Sequence, residues 1–460
     1  MKILLIPYDN GSHISFPPLG LAYLASACRD KGYEVSIYQQ DTHHWPDEHL
    51  TNFLDQNKFD VVGIGSCAGY YQYNKILSLS NAINNSKQRP LFVLGGTMAT
   101  PEPEYFLKKT RADAVVLGEG EYILPNLLEC VSNKSGLSNV KGIAYWGDEL
   151  NITSRPSPPD LNSLPMPAWD LFEMDHYVLN NYIPGVGSLR SMVMLTGRGC
   201  PFHCTFCYRM EKGVRLRSID SVVEEALKLV KDYNIDYLHF VDELVIESPQ
   251  RVIELSEAFI KANLKVKWGC AGRLNHVNPE VLSTMRKAGC VFIGYGMESM
   301  DNEVLNKMNK ELTDDIITRG VEMTMDADIM VGFNFIFGNI GDTAETLQKS
   351  VDFLIKYDRQ SQVRTIRPVT PYPGSPLYNL AIKKGMIKDC EDFYENKHKN
   401  SDLLTVNFTE MPDEEFYKAL HSANKQLLDN YHACTQRAYH KNLDDLYFKQ
   451  DASFRGFRRV

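Results

Sequence analysis

Short apolar runs alternate with amphipathic helical patterns through the first third of the chain. The apolar runs predict five strands, at Lys2–Pro7, Glu34–Tyr38, Val61–Ser66, Leu91–Gly95 and Ala114–Leu117. The segments that follow them predict five helices, at Leu19–Lys31, His49–Gln56, Tyr73–Asn85, Pro103–Lys108 and Tyr122–Val131. Strands this apolar, joined by helical crossovers, form a parallel, doubly wound sheet of the Rossmann-like α/β class.

Turns rich in glycine and small residues follow three of these strands. They read Gly65-Ser66-Cys67-Ala68-Gly69, Gly95-Gly96-Thr97-Met98 and Gly118-Glu119-Gly120-Glu121. Ligands of such sheets bind at the carboxyl ends of the strands, and glycine lets a ligand approach the backbone closely. The candidate binding residues are therefore Ser66, Gly95, Gly96, Thr97, Gly118, Glu119 and Gly120. On their own these turns are a weak signal, because many doubly wound folds carry them.

A second alternation of strands and helices begins after a proline-containing connector. The predicted strands are Ser191–Thr196, Tyr237–Val241, Val266–Cys270, Val291–Gly296, Met330–Phe337 and Val363–Pro368. Six strand–helix units in succession predict a partial (β/α)6 barrel. Barrel active sites lie at the carboxyl ends of the strands, so we expect the functional residues there.

The remainder of the chain predicts a mainly helical extension, with helices at Pro412–Asn430 and His432–Phe448. We therefore divide the chain into a Rossmann-like domain at 1–135, a linker at 136–189, the partial barrel at 190–374 and the extension at 375–460. Arg367, Tyr372 and Tyr378 are candidate substrate contacts near the barrel mouth; ordinary surface positions are the alternative.

Composition places the chain among ordinary globular proteins and narrows its partners. The net charge is −9 over 460 residues, and the one basic run is Arg455-Gly456-Phe457-Arg458-Arg459. Nucleic-acid binding normally needs a basic face, so we expect no nucleic-acid partner. No apolar stretch is long enough to span a bilayer. Ten cysteines without a secretory signal favour a reducing, cytoplasmic location.

The most informative residues are Cys200, Cys204 and Cys207, spaced C-x3-C-x2-C with the aromatic Phe206 before the third cysteine. A [4Fe–4S] cluster normally takes one thiolate on each of its four irons, so three cysteines leave one iron open. Structural zinc is one alternative, with Cys270 or Cys290 as a fourth ligand. Cysteines buried in a core are another.

This spacing and its aromatic residue resemble the signature of the radical S-adenosylmethionine (SAM) enzymes. The resemblance implies that the open iron chelates SAM and that one electron cleaves SAM to methionine and a 5′-deoxyadenosyl radical. It also implies an electron donor such as flavodoxin or ferredoxin.

The same resemblance assigns SAM contacts to polar and aromatic residues at the strand ends. Asp242 and Glu243 would hold the amino group, and Arg273 would meet the carboxylate. Glu298 or Ser299 would contact the ribose. The adenine would stack near Phe337 and Gly338, flanked by Tyr208. The alternatives are structural ion pairs at the barrel rim and aromatic residues that fill the core.

The N-terminal third resembles the cobalamin-binding domain of B12-binding radical SAM proteins. The resemblance rests on the run Phe16–Leu24 and on the Gly95-Gly96 and Gly118–Glu121 turns. The D-x-H-x-x-G sequence of other cobalamin domains is missing after the first strand, where the chain reads Asp9-Asn10-Gly11-Ser12-His13. Asp41-Thr42-His43 gives only a fragment, after the second strand. The resemblance implies cobalamin without a histidine ligand; a scaffold domain without cobalamin is the alternative.

The string Thr370-Pro371-Tyr372-Pro373-Gly374-Ser375-Pro376 resembles enzymes of the hopanoid-methylase and anaerobic-cyclase type. The resemblance implies methyl transfer to an unactivated carbon of a small-molecule, lipid or natural-product substrate. Radical cyclisation, rearrangement or oxidation without methyl transfer is the second interpretation. A non-catalytic zinc-binding module is the interpretation from another class.

Overall fold

Two sheets, one in each half of the chain, organise the molecule. The computed structural model describes residues 1–7, 9, 11, 16–67, 69–179, 182–183, 187–358 and 362–450. The α/β fold class predicted from the sequence is confirmed, with a helical C-terminal segment after the second sheet.

The first sheet has seven strands in the order β2-β1-β3-β4-β5-β6-β7. They are β1 (Lys2–Ile6), β2 (Glu34–Ile37), β3 (Val61–Ser66), β4 (Leu91–Gly96), β5 (Ala114–Val116), β6 (Ile143–Trp146) and β7 (Leu150–Ile152). The first five pair in parallel, as predicted, and their apolar side chains are almost wholly buried.

Helices cover both faces of this sheet. They are α1 (Leu19–Asp30), α2 (Gln40–His43), α3 (Asp47–Gln56), α4 (Tyr70–Asn85), α5 (Pro103–Thr110) and α6 (Gly120–Ser132). Helix α1 packs beside α6, whereas α4 packs between α3 and α5. The carboxyl edge of the sheet, where β3, β4 and β5 end, stays open for a ligand between these layers.

The first domain extends beyond the boundary predicted at residue 135. Strand β6 pairs antiparallel with β5, placing Ala144 opposite Val115, and β7 pairs with β6. Ile143 and Ala144 are fully buried, so burial of this hairpin completes the sheet. The first part of the predicted linker at 136–189 is therefore structured as an edge of the sheet.

The second sheet has six parallel strands in the order β10-β13-β14-β15-β16-β17, which confirms the predicted partial barrel. After the short strands β8 (Tyr182–Ile183) and β9 (Gly187–Ser188), its strands are β10 (Ser191–Met194), β13 (Tyr237–Phe240), β14 (Lys267–Gly272), β15 (Cys290–Glu298), β16 (Met330–Phe337) and β17 (Arg367–Pro368). A separate two-stranded sheet, β11 (Gly197–Cys200) and β12 (Gly213–Leu216), lies between β10 and β13 in the chain.

The first helix of this half precedes the barrel strands, and the others connect successive strands as crossovers. They are α7 (Met174–Leu179), α8 (Ile219–Tyr233), α9 (Pro249–Lys261), α10 (Pro279–Lys287), α11 (Asn302–Lys307), α12 (Asp314–Asp326) and α13 (Ala344–Tyr357). Because every crossover returns the chain to a parallel strand, all the carboxyl ends of the barrel strands lie at one end.

The C-terminal segment contacts both halves of the molecule. It contains α14 (Pro376–Lys383), a π-helical turn at Asp392–Lys397 and α15 (Asp413–Tyr447). The two helices predicted at 412–448 form one continuous helix, because the chain has no glycine or proline between them to end the first. Helix α15 packs on α13, and Tyr394 of the π-helical turn stacks on Tyr73 of α4 with ring centroids 4.6 Å apart.

Candidate active site

The three signature cysteines belong to an antiparallel hairpin, residues 197–216, called here the cysteine hairpin. Cys200 ends β11 opposite Gly213 of β12, and the connecting loop carries Cys204 and Cys207. The two strands approach closely at Gly199, which has φ +93°. A Cβ there would lie 2.2 Å from the Gly213 carbonyl oxygen, so only glycine fits this position.

All three cysteines are free thiols, and they lie close enough to influence one another electrostatically. Burial and the neighbouring Cys204 raise the pKa of Cys207 to about 12, and burial also raises the pKa of Cys204. A positive partner is therefore needed to hold the group as thiolates. Three free thiols on one loop fit a [4Fe–4S] cluster, in which each thiolate binds a different iron.

A mononuclear metal site is not preassembled here. Within the described ranges, no group of three or more His, Cys, Asp or Glu side chains has the arrangement to hold a metal ion. Cys290 begins β15, at the end of the barrel away from the strand carboxyl ends, and Cys270 lies within β14 with a fully buried side chain. Neither cysteine therefore lies at the hairpin, where the alternative of structural zinc would need a fourth ligand.

A cavity of about 630 Å³ lies between the carboxyl edge of the first sheet and the cysteine hairpin. Its walls include every predicted binding residue of the glycine-rich turns, together with one signature cysteine and two predicted SAM-contacting residues. These are Ser66, Gly95, Gly96, Thr97, Gly118, Glu119 and Gly120 from the first domain, and Cys200, Tyr208 and Glu243 from the barrel. The fold thus brings both sets of predicted residues to one cavity.

Glycine is required at two of the turns in the cavity wall. Gly96 has φ +102°, and a Cβ there would lie 2.1 Å from the Ser66 carbonyl oxygen. Gly118 has φ +110°, and a Cβ there would lie 2.5 Å from an amino nitrogen of Arg155. A wall made of bare backbone at these positions suits a large planar ligand such as a corrin.

The histidines of the two sequences considered for a cobalamin ligand are His13 and His43, and the structure describes only His43. Asn10, Ser12 and His13 lie outside the described residues, as does the basic run 455–459. His43 pairs through Nε2 with Glu173 at 2.8 Å and stacks on Trp45. Asp41 lines the cavity and accepts a hydrogen bond from the Tyr177 hydroxyl at 2.7 Å. His43 therefore ties α2 to the connector.

Asp242 and Glu243, predicted to hold the SAM amino group, lie in different environments. Both oxygens of Asp242 lie 3.0 Å from the Thr196 amide nitrogen, and Oδ1 also accepts from the Thr196 hydroxyl at 2.7 Å. Burial raises the pKa of Asp242 to about 6, although these hydrogen bonds oppose the shift. Glu243 is exposed in the cavity and accepts from the Gly199 amide at 2.9 Å. Of the two, Glu243 is the available carboxylate, and Asp242 fixes the start of the hairpin.

Arg273 follows β14 and packs on the cysteine loop. Its guanidinium carbon lies 3.3 Å from the ring centroid of Phe202, and its amino nitrogen donates to the Lys310 carbonyl oxygen. The side chain also influences the Cys204 thiol electrostatically. The structure thus places Arg273 beside the cysteine loop with its guanidinium stacked on Phe202, and its contact with the SAM carboxylate stays a prediction.

Glu298 ends β15 in a left-handed conformation, φ +69°, and its carboxylate pairs with Lys310 Nζ at 2.9 Å. Both side chains are buried. Burial opposes the charge on Lys310, but Glu298 and Cys204 raise the pKa of this ammonium above its ordinary value.

Ser299, the other residue predicted to contact the ribose, accepts a hydrogen bond from the Asp301 amide at 3.1 Å. Lys310, which lies between α11 and α12 and 5.8 Å from the Phe206 ring, was not singled out from the sequence.

Two of the residues predicted to lie near the adenine, Phe337 and Gly338, are buried. Phe337, at the end of β16, is 1% exposed and stacks on Phe416 of α15. The next residue, Gly338, has φ +99° and donates its amide to Asp342 at 2.9 Å. Tyr208 lies in the cavity wall against Gly374, where a Cβ would lie 2.5 Å from the tyrosine ring. Of these residues, Tyr208 is the aromatic that faces the cavity.

Two of the three candidate substrate contacts share a neighbour. Tyr372 and Tyr378 both pack on Phe393, with ring centroids 6.0 Å and 5.9 Å away, and Arg367 acts electrostatically on Tyr372. Tyr378 is buried beside Glu102 of the first domain. Tyr372 packs on His398, with ring centroids 5.3 Å apart. Arg367 is exposed and pairs with Asp402 at 2.7 Å. Among the described residues that line the cavity, none of these three is included.

Comparison with known families agrees with this arrangement. Residues 194–354 match the radical SAM superfamily, and residues 13–128 match the B12 binding domain. The chain is a B12-binding radical SAM enzyme. The first match contains the cysteine hairpin, and the second contains all three glycine-rich turns.

Known relatives cover most of this B12-binding radical SAM enzyme. An uncharacterized methyltransferase of Pyrococcus horikoshii is 29% identical over 400 residues, 84% of each chain. The anaerobic magnesium-protoporphyrin IX monomethyl ester cyclase of Cereibacter sphaeroides is 30% identical over 81% of this chain and 61% of its own.

Solved structures share the fold. The radical SAM methyltransferase TsrM from Kitasatospora setae, with cobalamin and a [4Fe–4S] cluster bound, superposes with a TM-score of 0.73 at 16% identity, over 93% of this chain and 88% of that one. The cobalamin-dependent enzyme OxsB, with aqua-cobalamin bound, gives a TM-score of 0.67 at 20% identity over 84% of this chain. This chain spans 56% of the length of OxsB.

The cofactors of this B12-binding radical SAM enzyme follow from its two domains. The radical SAM domain implies a [4Fe–4S] cluster and SAM, and the B12-binding domain implies cobalamin. In the described part of the chain, no helix combines the length and apolar character needed to cross a membrane.

Proposed function

We propose that this chain transfers a methyl group to an unactivated carbon of a small organic substrate in a cobalamin-dependent radical SAM reaction. The observation that carries the proposal is the single cavity that contains the glycine-rich turns of the B12-binding domain and Cys200 of the cysteine hairpin. A methyl carrier and a radical source act on the same carbon only if both reach one enclosed space. The shared cavity meets that requirement.

Two relatives named as methyltransferases support methyl transfer. One is the Pyrococcus horikoshii protein. The other is the cytidylyl-2-hydroxyethylphosphonate methyltransferase of Streptomyces wedmorensis, which is 27% identical over 83% of this chain. Both matches span most of this chain, so they include the B12-binding domain and the barrel together.

Some residues of this chain would bind the cofactors, and others would enclose the site. Cys200, Cys204 and Cys207 would hold the cluster. Glu243 has a free carboxylate oxygen at the cavity wall and would accept a hydrogen bond from the SAM ammonium. When bound, the cluster and SAM supply a carbon-centred radical, and cobalamin supplies the methyl carrier.

The positive groups beside the cysteines would stabilise the negative charge of the thiolates. Arg273 and the Lys310–Glu298 pair both act electrostatically on Cys204. The aromatic face of Tyr208 lies at the cavity wall, where it would shield the reacting groups from water. Electrons would come from a donor such as flavodoxin or ferredoxin.

Radical ring formation, rearrangement or oxidation without methyl transfer is the second candidate. It is favoured by the anaerobic magnesium-protoporphyrin IX monomethyl ester cyclases of Rubrivivax gelatinosus and Cereibacter sphaeroides, 28% and 30% identical to this chain. The same cavity would serve either reaction, since both begin with removal of a hydrogen atom from carbon.

The products formed from SAM distinguish methyl transfer from radical chemistry without methyl transfer, even before the substrate is known. Loss of the methyl group leaves S-adenosylhomocysteine, whereas reductive cleavage leaves methionine and 5′-deoxyadenosine. The anaerobically purified protein, loaded with cobalamin and reduced, should bind about four irons with one corrin and form both S-adenosylhomocysteine and 5′-deoxyadenosine. Four irons with 5′-deoxyadenosine but no corrin would move the assignment to the second candidate.

A further inference from the structure

Two arginines face each other across the cysteine hairpin. Arg198 of β11 is the register partner of Arg215 of β12. Like charges directly opposite each other on neighbouring strands repel and destabilise the pairing. Cys200 follows Arg198 by two residues on the same strand, so the position of this thiol depends on how the repulsion is relieved.

The first domain supplies the opposite charges. Glu119, in the turn after β5, pairs with Arg198 Nη1 at 2.8 Å and also with Arg215. Glu121, in the first turn of α6, pairs with Arg198 Nη2 at 2.6 Å. The two carboxylates neutralise the two guanidinium groups.

These contacts are shielded from solvent. The side chains of Glu119 and Glu121 are each 6% exposed, and those of Arg198 and Arg215 are 15% and 24% exposed. The Arg198 guanidinium also lies over the ring of Tyr23, 5.2 Å from its centroid. Charge pairs this buried resist screening by salt and hold a defined geometry.

The same four charged residues line the cavity. Glu119 and Glu121 belong to the wall formed by the glycine-rich turn, and Arg198 and Arg215 belong to the wall formed by the hairpin. A ligand that fills the cavity therefore contacts the segments that carry both members of each ion pair. Through these pairs, a ligand that orders the glycine-rich turn also orders the cysteine hairpin, and the reverse holds as well.

We propose that Glu119 and Glu121 are positioning residues that join the cobalamin-binding turn to the cysteine hairpin, so that cobalamin binding and cluster assembly favour each other. This role replaces the direct cofactor contact predicted for Glu119, whose carboxylate already serves two arginines. The identity of the two ligands rests on the proposed function. Coupling of this kind is reciprocal, because each ligand changes the affinity for the other by the same factor.

The test is a titration of hydroxocobalamin, followed by absorbance, into the full-length protein with and without its reconstituted cluster. The ratio of the two dissociation constants measures the coupling. In the unchanged protein, we expect reconstitution to tighten hydroxocobalamin binding about fivefold or more. Glu119→Gln should bring this ratio close to one and also reduce the iron retained after gel filtration.

Two further variants separate positioning from general stability. Glu119→Gln leaves a surplus guanidinium charge and should lower the melting temperature of the protein. Adding Arg215→Gln restores neutrality, so the double variant should recover much of the melting temperature while its coupling ratio stays low. Arg89→Gln is the matched control, because Arg89 pairs with Asp113 at 2.8 Å before β4 and β5, at the opposite edge of the sheet.

The outcomes are distinguishable. A coupling ratio near one in the unchanged protein, or a ratio in Glu119→Gln equal to that of the unchanged protein, overturns the coupling and leaves the proposed function standing. A reconstituted protein that binds no hydroxocobalamin at all overturns the proposed function together with the coupling.

Discussion

Phe337 stacks on Phe416, with ring centroids 4.8 Å apart and planes inclined by 20°. Phe337 ends the fifth barrel strand, and Phe416 belongs to the first turns of α15. Both rings are almost fully buried. The strand end that is predicted to stack on adenine holds the C-terminal helix against the barrel, and Gly338 leaves the room that the Phe416 ring occupies.

Phe416→Ala should therefore destabilise the protein by about 3–5 kcal/mol, because it removes a large aromatic side chain from a closed contact. The measurement is urea denaturation of the cofactor-free protein. Leu443→Ala, on the same helix but 36% exposed, should change stability far less. Equal losses in the two variants would contradict the anchoring role of Phe416.

Cys204→Ala should abolish iron retention and the formation of 5′-deoxyadenosine from SAM, since the remaining two thiols hold the cluster poorly. Hydroxocobalamin binding to the cluster-free protein should persist, because the glycine-rich turns are untouched. Cys434→Ala, a half-buried thiol on α15, is the control and should behave as the unchanged protein. Iron analysis and product chromatography provide the readouts; SAM cleavage by Cys204→Ala would refute the cluster assignment.

Gly96→Ala should weaken hydroxocobalamin binding and lower stability by roughly 1–2 kcal/mol, the usual cost of a left-handed conformation for a residue with a Cβ. The added methyl group also meets the Ser66 carbonyl oxygen, so the cavity wall must move. Gly95→Ala is the matched control, because its Cβ would rest 3.5 Å from Val116, an ordinary contact. Calorimetry and absorbance titration would show the difference; identical behaviour of the two variants would argue against a shaped wall.

His398 should make the protein less stable in acid. Burial lowers its pKa to about 4 in the folded protein, against 6.5 in an exposed histidine. Between these values the unfolded chain binds more protons, so stability present above pH 6.5 is lost as the pH falls towards 4, by about 3 kcal/mol.

The variant His398→Phe keeps an aromatic ring against Phe393 but cannot be protonated. Its stability relative to the unchanged protein should rise as the pH is lowered from 7 to 4, measured by urea denaturation at each pH. His421→Phe, on the exposed face of α15, should follow the unchanged protein. A parallel profile for His398→Phe would contradict the prediction.

The succession of strands along the chain was predictable where each strand is an apolar run between turn residues. The predicted strands agree with the structure within a few residues, and β16 agrees at both ends, but β6 and β7 of the first sheet were not predicted. Strand β17 is shorter than expected, since only Arg367 and Pro368 pair with β16. The single helix α15 was also within reach of the sequence, because no residue between its two predicted halves breaks a helix.

The burial of Asp242 follows from the periodicity of its strand. Successive side chains of a strand alternate between faces, so Asp242 continues the face of Leu238 and Phe240, which are buried. The alternation was readable from the sequence and would have favoured Glu243 as the open carboxylate. Lys310 was beyond such reasoning, because its pairing with Glu298 is set by the tertiary path of a loop.

The facing arginines of the cysteine hairpin have a consequence for biosynthesis. Translation proceeds from the amino terminus, and domains generally fold as units in that order. The sheet that carries Glu119 and Glu121 is complete at Ile152, before the first hairpin residue, Gly197, leaves the ribosome. The nascent hairpin therefore meets a folded surface that already bears the charges it needs, and its two strands come together on that surface.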